Sequence, residues 1–368
     1  MVLNIDKLMN RGLGGITPYA GGKHKEEAIE KYGVRKPVKL SSNENALGVS
    51  PMATEHAGRI LSQANLYPEG SSRILREKLA ERFALSPDCI VVGSGADEII
   101  YYVAIAITND GDEIIIPSIT FPIYEIAFRM MRANIVKSAM DGFFIDLEDI
   151  LRRINSKTKC ITLCNPNNPT GHALGRNEVK GFIEKVPPGI IILMDEAYMD
   201  FADMDSFPDS IGMFREGRRN LVIVRTLSKA FGLAGFRVGY GIGDESMVSL
   251  MNRIKLPFNV SIVSQHAALG ALSDRDFLIK TLKNTQQGRS LIYKALEKLG
   301  LSYVRSSTNF ILIDTGNDGD LVTEELMKRG VIVRSAKNYG MPTCIRVTIG
   351  TEAQNRRFIE ALSEFLQG

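Results

Sequence analysis

The sequence of 368 residues contains few cysteines and histidines, with four of each. No C-x-x-C pair occurs among Cys89, Cys160, Cys164 and Cys344. The histidines stand singly, so neither a metal site nor a disulfide framework is indicated. A chain of this length buries about three quarters of its unfolded surface and needs no such crosslinks. We therefore expect reduced cysteines, no bound metal and a cytoplasmic protein.

Long apolar runs are also missing. Runs such as 103–107 and 190–194 are far shorter than the roughly 18–20 residues of a membrane span. The first twelve residues lack the apolar region of a signal peptide. Lys plus Arg is 45 and Asp plus Glu is 42, a net charge of +3 with no basic stripe. Neither a membrane nor nucleic acid is therefore an expected partner.

Short apolar runs alternate with helical patterns through the first two thirds of the chain. The predicted strands lie at 89–93, 113–117, 159–166, 189–198 and 220–229, and the predicted helices at 96–108, 122–131 and 176–186. Strands that are apolar throughout and separated by helices indicate a parallel sheet covered on both faces. The fold class is therefore predicted to be α/β.

After about residue 244 the pattern changes. A long helical stretch at 262–299 precedes short predicted strands and a closing helix, at 303–304, 309–313, 330–334, 344–350 and 352–366. We predict a smaller α+β domain over 263–368 and a large domain over 36–262. The N-terminal segment 1–35 is expected to pack with the small domain.

Ligands of parallel sheets bind at the carboxyl ends of the strands, and a lysine stands at one of these ends. Lys229 closes the run NLVIVRTLSK, and its amine can form a Schiff base with a carbonyl. Thr226, Ser228 and Arg237 lie nearby in the sequence, and hydroxyls with a guanidinium suit a phosphate group. Taken alone, the segment also fits a surface lysine in a glycine-rich loop.

An aspartate ends another apolar run. Asp195 follows GIIILM, and a buried carboxylate requires a cationic or protonated partner. The ring nitrogen of a pyridinium is one such partner, and Tyr198 could offer its hydroxyl to the same ligand. The alternative, an acid that holds magnesium, is weakened because the sequence has no G-x-x-x-x-G-K-[ST] loop.

Two further strand ends carry weaker signals. The glycines of the GSG turn at 93–95 precede a predicted helix that begins near Ala96, and free N–H groups at a helix start attract phosphate. Glu98 stands where a dinucleotide fingerprint has its third glycine. Asn168 precedes Pro169 in CNPNNPTGH, so its backbone is biased to extended geometry. Each segment alone also fits a plain turn.

The order of these four strand ends indicates one ligand, pyridoxal 5′-phosphate. Its aldehyde needs Lys229 and its ring nitrogen needs Asp195. Its ring oxygen needs donors such as Asn168 and Tyr198. Its phosphate needs the helix start at 95–97 with Ser228 and Arg237.

At this point the sequence resembles the fold-type-I aminotransferases and, within them, the histidinol-phosphate branch. The blocks that carry the resemblance are SSNENALG (41–48), NLYPEGSS (65–72), GSGADEII (93–100), NPNNPTG (165–171), DEAY (195–198), TLSKAFGLAGFRVGY (226–240) and IRVTIGT (345–351). The resemblance implies a large, mostly parallel sheet between helices, a smaller α+β domain and pyridoxal phosphate as cofactor.

The resemblance also implies roles for the cofactor-binding residues. Lys229 would be the Schiff-base lysine and proton shuttle, Asp195 would pair with the pyridinium, and Tyr198 with Asn168 would bind the ring oxygen. The other implied contacts are a ring stack by Phe121, where the family often has tyrosine, and a phosphate site formed by Ala96, Asp97, Thr226, Ser228 and Arg237. Tyr67 would reach the cofactor phosphate of a partner subunit, which implies a homodimer.

The resemblance also implies a substrate site. Arg346 and Arg334 would bind the substrate phosphate, or the carboxylate of glutamate in the second half-reaction. Tyr19 and Asn43 would lie near the substrate. One departure from the family is Ala46 in SSNENALG, where the family usually has proline.

The expected activity is transamination of L-histidinol phosphate with 2-oxoglutarate to imidazole acetol phosphate and glutamate, a step of histidine biosynthesis. An aromatic amino acid aminotransferase is the closest alternative, because the same arginines can bind a substrate carboxylate. A threonine-phosphate decarboxylase is a further alternative. A cofactor-sensing regulator would carry an added DNA-binding domain, and the roughly 35 residues before the first strand show no helix-turn-helix pattern.

Overall fold

The computed structural model describes residues 8–19 and 21–367, so the first part of the predicted N-terminal segment lies outside the described residues. The helices are α1 Lys25–Tyr32, α2 Pro51–Ile60, α3 Arg73–Phe83, α4 Ala96–Ile107, α5 Ile123–Met130, α6 Leu147–Arg152, α7 Arg176–Lys185, α8 Ser210–Arg215, α9 Glu245–Ile254, α10 Ile262–Ser273, α11 Arg275–Lys298, α12 Gly319–Lys328 and α13 Glu352–Gln367. Short 3₁₀ turns connect several of them.

Within the described residues the strands form one large sheet and three smaller ones. They are β1 Val38–Lys39, β2 Ile90–Gly93, β3 Glu113–Pro117, β4 Asn134–Ser138, β5 Met140–Asp141, β6 Phe144–Ile145, β7 Thr158–Cys164, β8 Ile191–Asp195, β9 Leu221–Thr226, β10 Gly239–Ile242, β11 Ser302–Tyr303, β12 Phe310–Asp314, β13 Val331–Ile332, β14 Arg334–Ser335 and β15 Cys344–Thr348. The five strands predicted in the first two thirds of the chain are all present.

The large sheet has the strand order β2-β10-β9-β8-β7-β3-β4 and is parallel except at β10. Separate apolar clusters cover its two faces, one with α2, α3, α7 and α10 and the other with α4, α5 and α9. The prediction of an α/β fold with a mostly parallel, helix-covered sheet is therefore confirmed. The parallel order brings the carboxyl ends of β7, β8 and β9 to one edge.

The antiparallel strand β10 was not predicted. Its sequence, GYGI, has two glycines, which are poor strand formers, yet all four of its residues are buried. A side chain at Gly239 would collide with the backbone at Gly95 and Ala96. Packing against the start of α4 therefore requires glycine there, and tertiary contact overrides strand propensity.

Two elements of the C-terminal part differ from their predicted form. The helical stretch 262–299 breaks at Asp274, whose side chain accepts hydrogen bonds from the Phe277 N–H at 3.1 Å and the Ser50 hydroxyl at 2.7 Å. The predicted strand 330–334 divides between two sheets. Its first half, β13, pairs with β1 in parallel, whereas β14 pairs with β15 in the antiparallel sheet β11-β12-β15-β14.

The described part of the N-terminal segment packs against α12. Tyr32 packs against a buried cluster that contains Met327, and Lys23 Nζ donates to Glu324 Oε2 at 2.9 Å. The domain boundaries at residues 36 and 263 stay a prediction. In the described ranges no helix is long and apolar enough to cross a membrane, and no cluster of potential metal ligands occurs there. All four cysteines are free and buried.

Candidate active site

A cavity of about 350 Å³ opens at the edge where β7, β8 and β9 end. It collects all but one of the predicted site residues, namely Tyr19, Asn43, Ala96, Asp97, Phe121, Asn168, Asp195, Tyr198, Thr226, Ser228, Lys229, Arg237, Arg334 and Arg346. The exception is Tyr67, which lies outside the cavity with 80% of its surface exposed. The cavity therefore unites residues that are more than 300 positions apart in the chain.

Lys229 lies in the loop that follows β9. Its Nζ lies 3.4 Å from the carbonyl oxygen of Ser42 and 5.6 Å from the centre of the Tyr198 ring. Burial, together with the positive charge of Arg346, lowers the pKa of Lys229 to about 8. Both effects disfavour the ammonium form, so near neutral pH the uncharged, nucleophilic form of this amine is far more populated than in an ordinary lysine.

Asp195 is the last residue of β8 and is almost fully buried. Its Oδ2 accepts a hydrogen bond from the Tyr124 hydroxyl at 2.6 Å, and its Oδ1 accepts one from the Ala197 N–H at 3.0 Å. Burial raises the pKa of Asp195 to about 6, although both hydrogen bonds act in the opposite direction. A buried carboxylate of this kind is stabilised by a protonated nitrogen placed against it.

Hydrogen-bond donors and acceptors line the side of the cavity next to Asp195. Asn43 Nδ2 donates to the Tyr198 hydroxyl oxygen at 2.9 Å, and Arg346 Nη1 donates to Asn168 Oδ1 at 2.6 Å. Burial raises the pKa of Tyr198, so its hydroxyl stays protonated. Tyr198 and Asn168 can therefore both donate hydrogen bonds to a ligand oxygen.

The start of α4 forms a cradle for an anion. Its N-cap is Gly95, at φ +84°, which has no side chain to bond the first N–H groups of the helix. The Arg237 guanidinium occupies the space that a Cβ at position 95 would enter. Thr226 Oγ1 donates to Ser228 Oγ at 2.9 Å on the facing loop. Backbone N–H groups, hydroxyls and a guanidinium are the donors that phosphate prefers.

Two arginines face each other on the small antiparallel sheet. Arg334 and Arg346 are direct cross-strand partners on β14 and β15, an arrangement of like charges that is destabilising by itself. Arg346 is 4% exposed, and its Nε has no hydrogen-bond partner among the described residues. The Arg334 guanidinium lies 5.3 Å from the centre of the Tyr19 ring. An anion bound between the arginines would offset their mutual repulsion.

Some residues around the cavity were not predicted from the sequence. Tyr124 lies in the first turn of α5, three residues after Phe121, and contacts Asp195. The carbonyl of Ser41 accepts from Arg346 Nη2 at 3.0 Å. Lys39 and Glu44 line the cavity and form an ion pair at 2.7 Å. Tyr124 stands at the start of the predicted helix 122–131, close to Phe121, and this position is the signal that could have revealed it. The backbone acceptor at Ser41 leaves no signal in the sequence.

Comparison with known proteins gives a consistent result. The family model for aminotransferase class I and II matches residues 35–362. A histidinol-phosphate aminotransferase of Carboxydothermus hydrogenoformans is 40% identical over 361 residues, which is 98% of this chain and 99% of the relative. Another, from Moorella thermoacetica, is 40% identical over 351 residues, which is 95% of this chain and 91% of the relative.

A solved structure shares the whole fold. The histidinol-phosphate aminotransferase of Sinorhizobium meliloti, in complex with pyridoxal-5′-phosphate, superposes with a TM-score of 0.87. It covers 96% of this chain and 98% of its own chain at 24% identity. At that identity the likeness establishes the fold.

Proposed function

The chain belongs to the class I and II aminotransferase family, and we propose that it transfers the amino group of L-histidinol phosphate to 2-oxoglutarate with pyridoxal 5′-phosphate as cofactor. One observation carries the substrate assignment. Arg334 and Arg346 are cross-strand partners in the cavity that also contains Lys229 and Asp195. A phosphate dianion suits two adjacent guanidinium groups better than a carboxylate does, because it has more charge and more acceptor oxygens.

The residues of the cavity fit the cofactor. The glycine at position 95 leaves room for Arg237 at the start of α4, where a phosphate would bind. The buried carboxylate of Asp195 faces the same cavity as Lys229, so a protonated ring nitrogen and an aldehyde each find a matching group. When bound, pyridoxal phosphate supplies an aldehyde that links to amines and a ring that withdraws electrons from the substrate Cα.

The chain's own side chains then perform three tasks. Lys229 would hold the cofactor aldehyde covalently through its Nζ, and as a free amine it would accept and return the proton of the substrate Cα. Asp195 keeps the ring nitrogen protonated. Tyr198 and Asn168 donate hydrogen bonds to the ring oxygen and fix the ring plane, while Phe121 covers one face of the ring.

The decisive experiment compares substrates. We expect kcat/KM with 2-oxoglutarate to be about 100-fold or more higher for L-histidinol phosphate than for L-phenylalanine, because the carboxylate of phenylalanine offers the two arginines less charge and fewer acceptor oxygens than a phosphate does. The cofactor absorption band should bleach with histidinol phosphate and return with 2-oxoglutarate. Equal or faster turnover of phenylalanine would contradict the proposed substrate, and release of carbon dioxide from threonine phosphate would indicate a decarboxylase.

Replacing Arg346 tests the phosphate site. Arg346→Met removes a guanidinium that is buried at the substrate side of the cavity. We expect KM for histidinol phosphate to rise about 10- to 100-fold, the range for a lost charge-assisted hydrogen-bond pair, with a smaller effect in Arg346→Lys. Steady-state kinetics measures both variants, and Arg305→Met, an exposed arginine outside the cavity lining, is the matched control. An unchanged KM in Arg346→Met would contradict the assignment.

We also propose that the enzyme works as a homodimer in which Tyr67 completes the site of the partner subunit. Tyr67 is 80% exposed and stacks on Phe258, with ring centres 4.6 Å apart. Three exposed leucines lie close to these two rings in the sequence: Leu61 and Leu66 precede Tyr67, and Leu256 precedes Phe258. A group of exposed apolar side chains of this kind is typical of a protein interface, and it supports the dimer proposal.

Mixed dimers provide the test. Tyr67→Phe is expected to lower activity about tenfold, as the loss of one hydrogen bond to a charged group does, and Lys229→Ala to abolish it. When both variants are co-expressed, one site of each mixed dimer would combine Lys229 of the Tyr67→Phe subunit with Tyr67 of the Lys229→Ala subunit. That site would be intact, and the other site of the dimer would be inactive. Total activity should then exceed that of the same amount of Tyr67→Phe alone. Activity that only averages the two parents would show that Tyr67 serves its own subunit or none.

The proposed location is the cytoplasm. The four buried cysteines are all unpaired, which suits a reducing compartment. Fractionation of cells followed by immunodetection checks this, and recovery of the protein outside the cytoplasmic fraction would contradict it.

A further inference from the structure

We propose that Tyr124 is a positioning residue that acts on the cofactor through Asp195. The inference rests on the proposed function, because it concerns the carboxylate expected to hold the ring nitrogen. Tyr124 does not line the cavity, and its side chain is fully buried behind it on α5. Any effect on the cofactor must therefore pass through the residues that it contacts.

The contact between Tyr124 and Asp195 has a fixed direction. The Tyr124 hydroxyl donates to Asp195 Oδ2 at 2.6 Å. Burial and the nearby carboxylate raise the pKa of Tyr124, so the tyrosine stays neutral and acts as the donor. A hydrogen bond given to a carboxylate favours its ionised form. Tyr124 therefore opposes the tendency of burial to protonate Asp195.

The same contact fixes the orientation of the carboxylate. The Ala197 N–H bonds Asp195 Oδ1 at 3.0 Å, while Tyr124 bonds Oδ2, so each oxygen has one donor from the protein. Rotation of the carboxylate about its bond to Cβ would break one or both hydrogen bonds. The remaining lone pairs are thereby held in one direction, which a protonated ring nitrogen needs for a short, straight hydrogen bond.

The surroundings of Tyr124 keep it in place. Its ring meets the edge of the Phe121 ring, with centres 5.9 Å apart and planes at 81°. Cys164 is the partner of Asp195 on the neighbouring strand β7, and its side chain also contacts the Tyr124 hydroxyl. Phenylalanine at position 124 would preserve the ring contact and remove only the hydroxyl, which contacts both Asp195 and Cys164. The Asp195→Ala background then separates the part that acts through Asp195.

A double-mutant cycle tests the proposal, with cofactor affinity as the readout. Cofactor-free protein is titrated with pyridoxal 5′-phosphate for the wild type, Tyr124→Phe, Asp195→Ala and the double variant. We expect Tyr124→Phe to weaken binding about tenfold in the wild-type background, the effect of one hydrogen bond to a charged group. In the Asp195→Ala background the same change should alter binding less than about twofold, because residues that act through one another are not additive.

Other outcomes overturn the inference. An equal loss in both backgrounds, or no loss in either, would show that Tyr124 does not act through Asp195. Failure of the wild type to bind the cofactor would instead refute the proposed function, and the inference with it. If Tyr124→Phe does not fold, Tyr124→His, which keeps a ring donor, should bind more tightly than Tyr124→Leu, and the opposite order would contradict the proposal. Tyr240→Phe, a buried tyrosine outside the cavity lining, is the matched control.

Discussion

Lys229→Ala should bind pyridoxal 5′-phosphate but lose transamination by at least about 10⁴-fold. The expected loss reflects the upper range for removal of a general acid–base group, and the variant also lacks the amine that holds the cofactor covalently. The proposed ring and phosphate contacts do not involve this side chain, so non-covalent binding should persist. Steady-state kinetics and absorption spectra of the reconstituted protein measure the two effects separately.

Two controls make the Lys229 result specific. Borohydride reduction of the wild type followed by peptide mapping should place the reduced cofactor on Lys229 alone. Lys180→Ala, at an exposed position of α7, should transaminate at the wild-type rate. A small primary amine added to Lys229→Ala should restore part of the rate by replacing the missing base. Ordinary turnover in Lys229→Ala, or a label on another lysine, would refute the assignment.

The lowered pKa of Lys229 predicts that covalent attachment of the cofactor to the cofactor-free protein becomes faster as the pH rises. The neutral amine is the nucleophile, and the pKa of about 8 means that its fraction increases as pH rises through 8. The rate of covalent attachment should therefore increase up to about that pH and level off above it. A rate that keeps rising to pH 10 would indicate an ordinary, exposed lysine.

The principal site residues could be predicted because each one ends a continuous apolar run. A polar residue at or just after the end of a buried parallel strand lies at the edge of the sheet where ligands bind. This rule predicts that Lys229 and Asp195 lie at the same edge, and the order of all four strand ends then indicates one shared site. The opposing pair Arg334 and Arg346 required the resemblance to a family. Cross-strand register depends on tertiary pairing, which the short strands around these arginines do not encode on their own.

The elements that the sequence did not reveal depend on contacts between distant segments. The segment 330–334 is predicted as one strand, yet it divides because β13 pairs with β1 and β14 pairs with β15. Strand β10 forms although glycine occupies half of it, since close packing of Gly239 against the start of α4 excludes any side chain. Local propensity contains no information on such partners, so sequence patterns predict these elements poorly.

Asp195→Asn should retain the cofactor and lower kcat about 10²- to 10³-fold, the usual effect of losing one preorganised electrostatic contact in an active site. A neutral amide has nearly the same shape as the carboxylate but cannot stabilise a protonated ring nitrogen, so electron withdrawal from the substrate Cα weakens. Asp274→Asn, a buried aspartate that caps α11 outside the cavity lining, should keep normal activity, because asparagine is an equally good N-cap. An unchanged kcat in Asp195→Asn would refute the role.

The pKa of Asp195 extends this prediction to cofactor binding. The carboxyl group of the cofactor-free protein is ionised above its pKa of about 6 and becomes protonated as the pH falls through that value, so its attraction for a protonated ring nitrogen fades at low pH. The affinity of the wild type for pyridoxal 5′-phosphate, divided by that of Asp195→Asn, should therefore be largest above pH 7 and approach one near pH 5. The phosphate of the cofactor titrates in the same way with both proteins, so its effect cancels in this ratio. A ratio that does not change with pH would mean that the ionised carboxylate does not hold the ring.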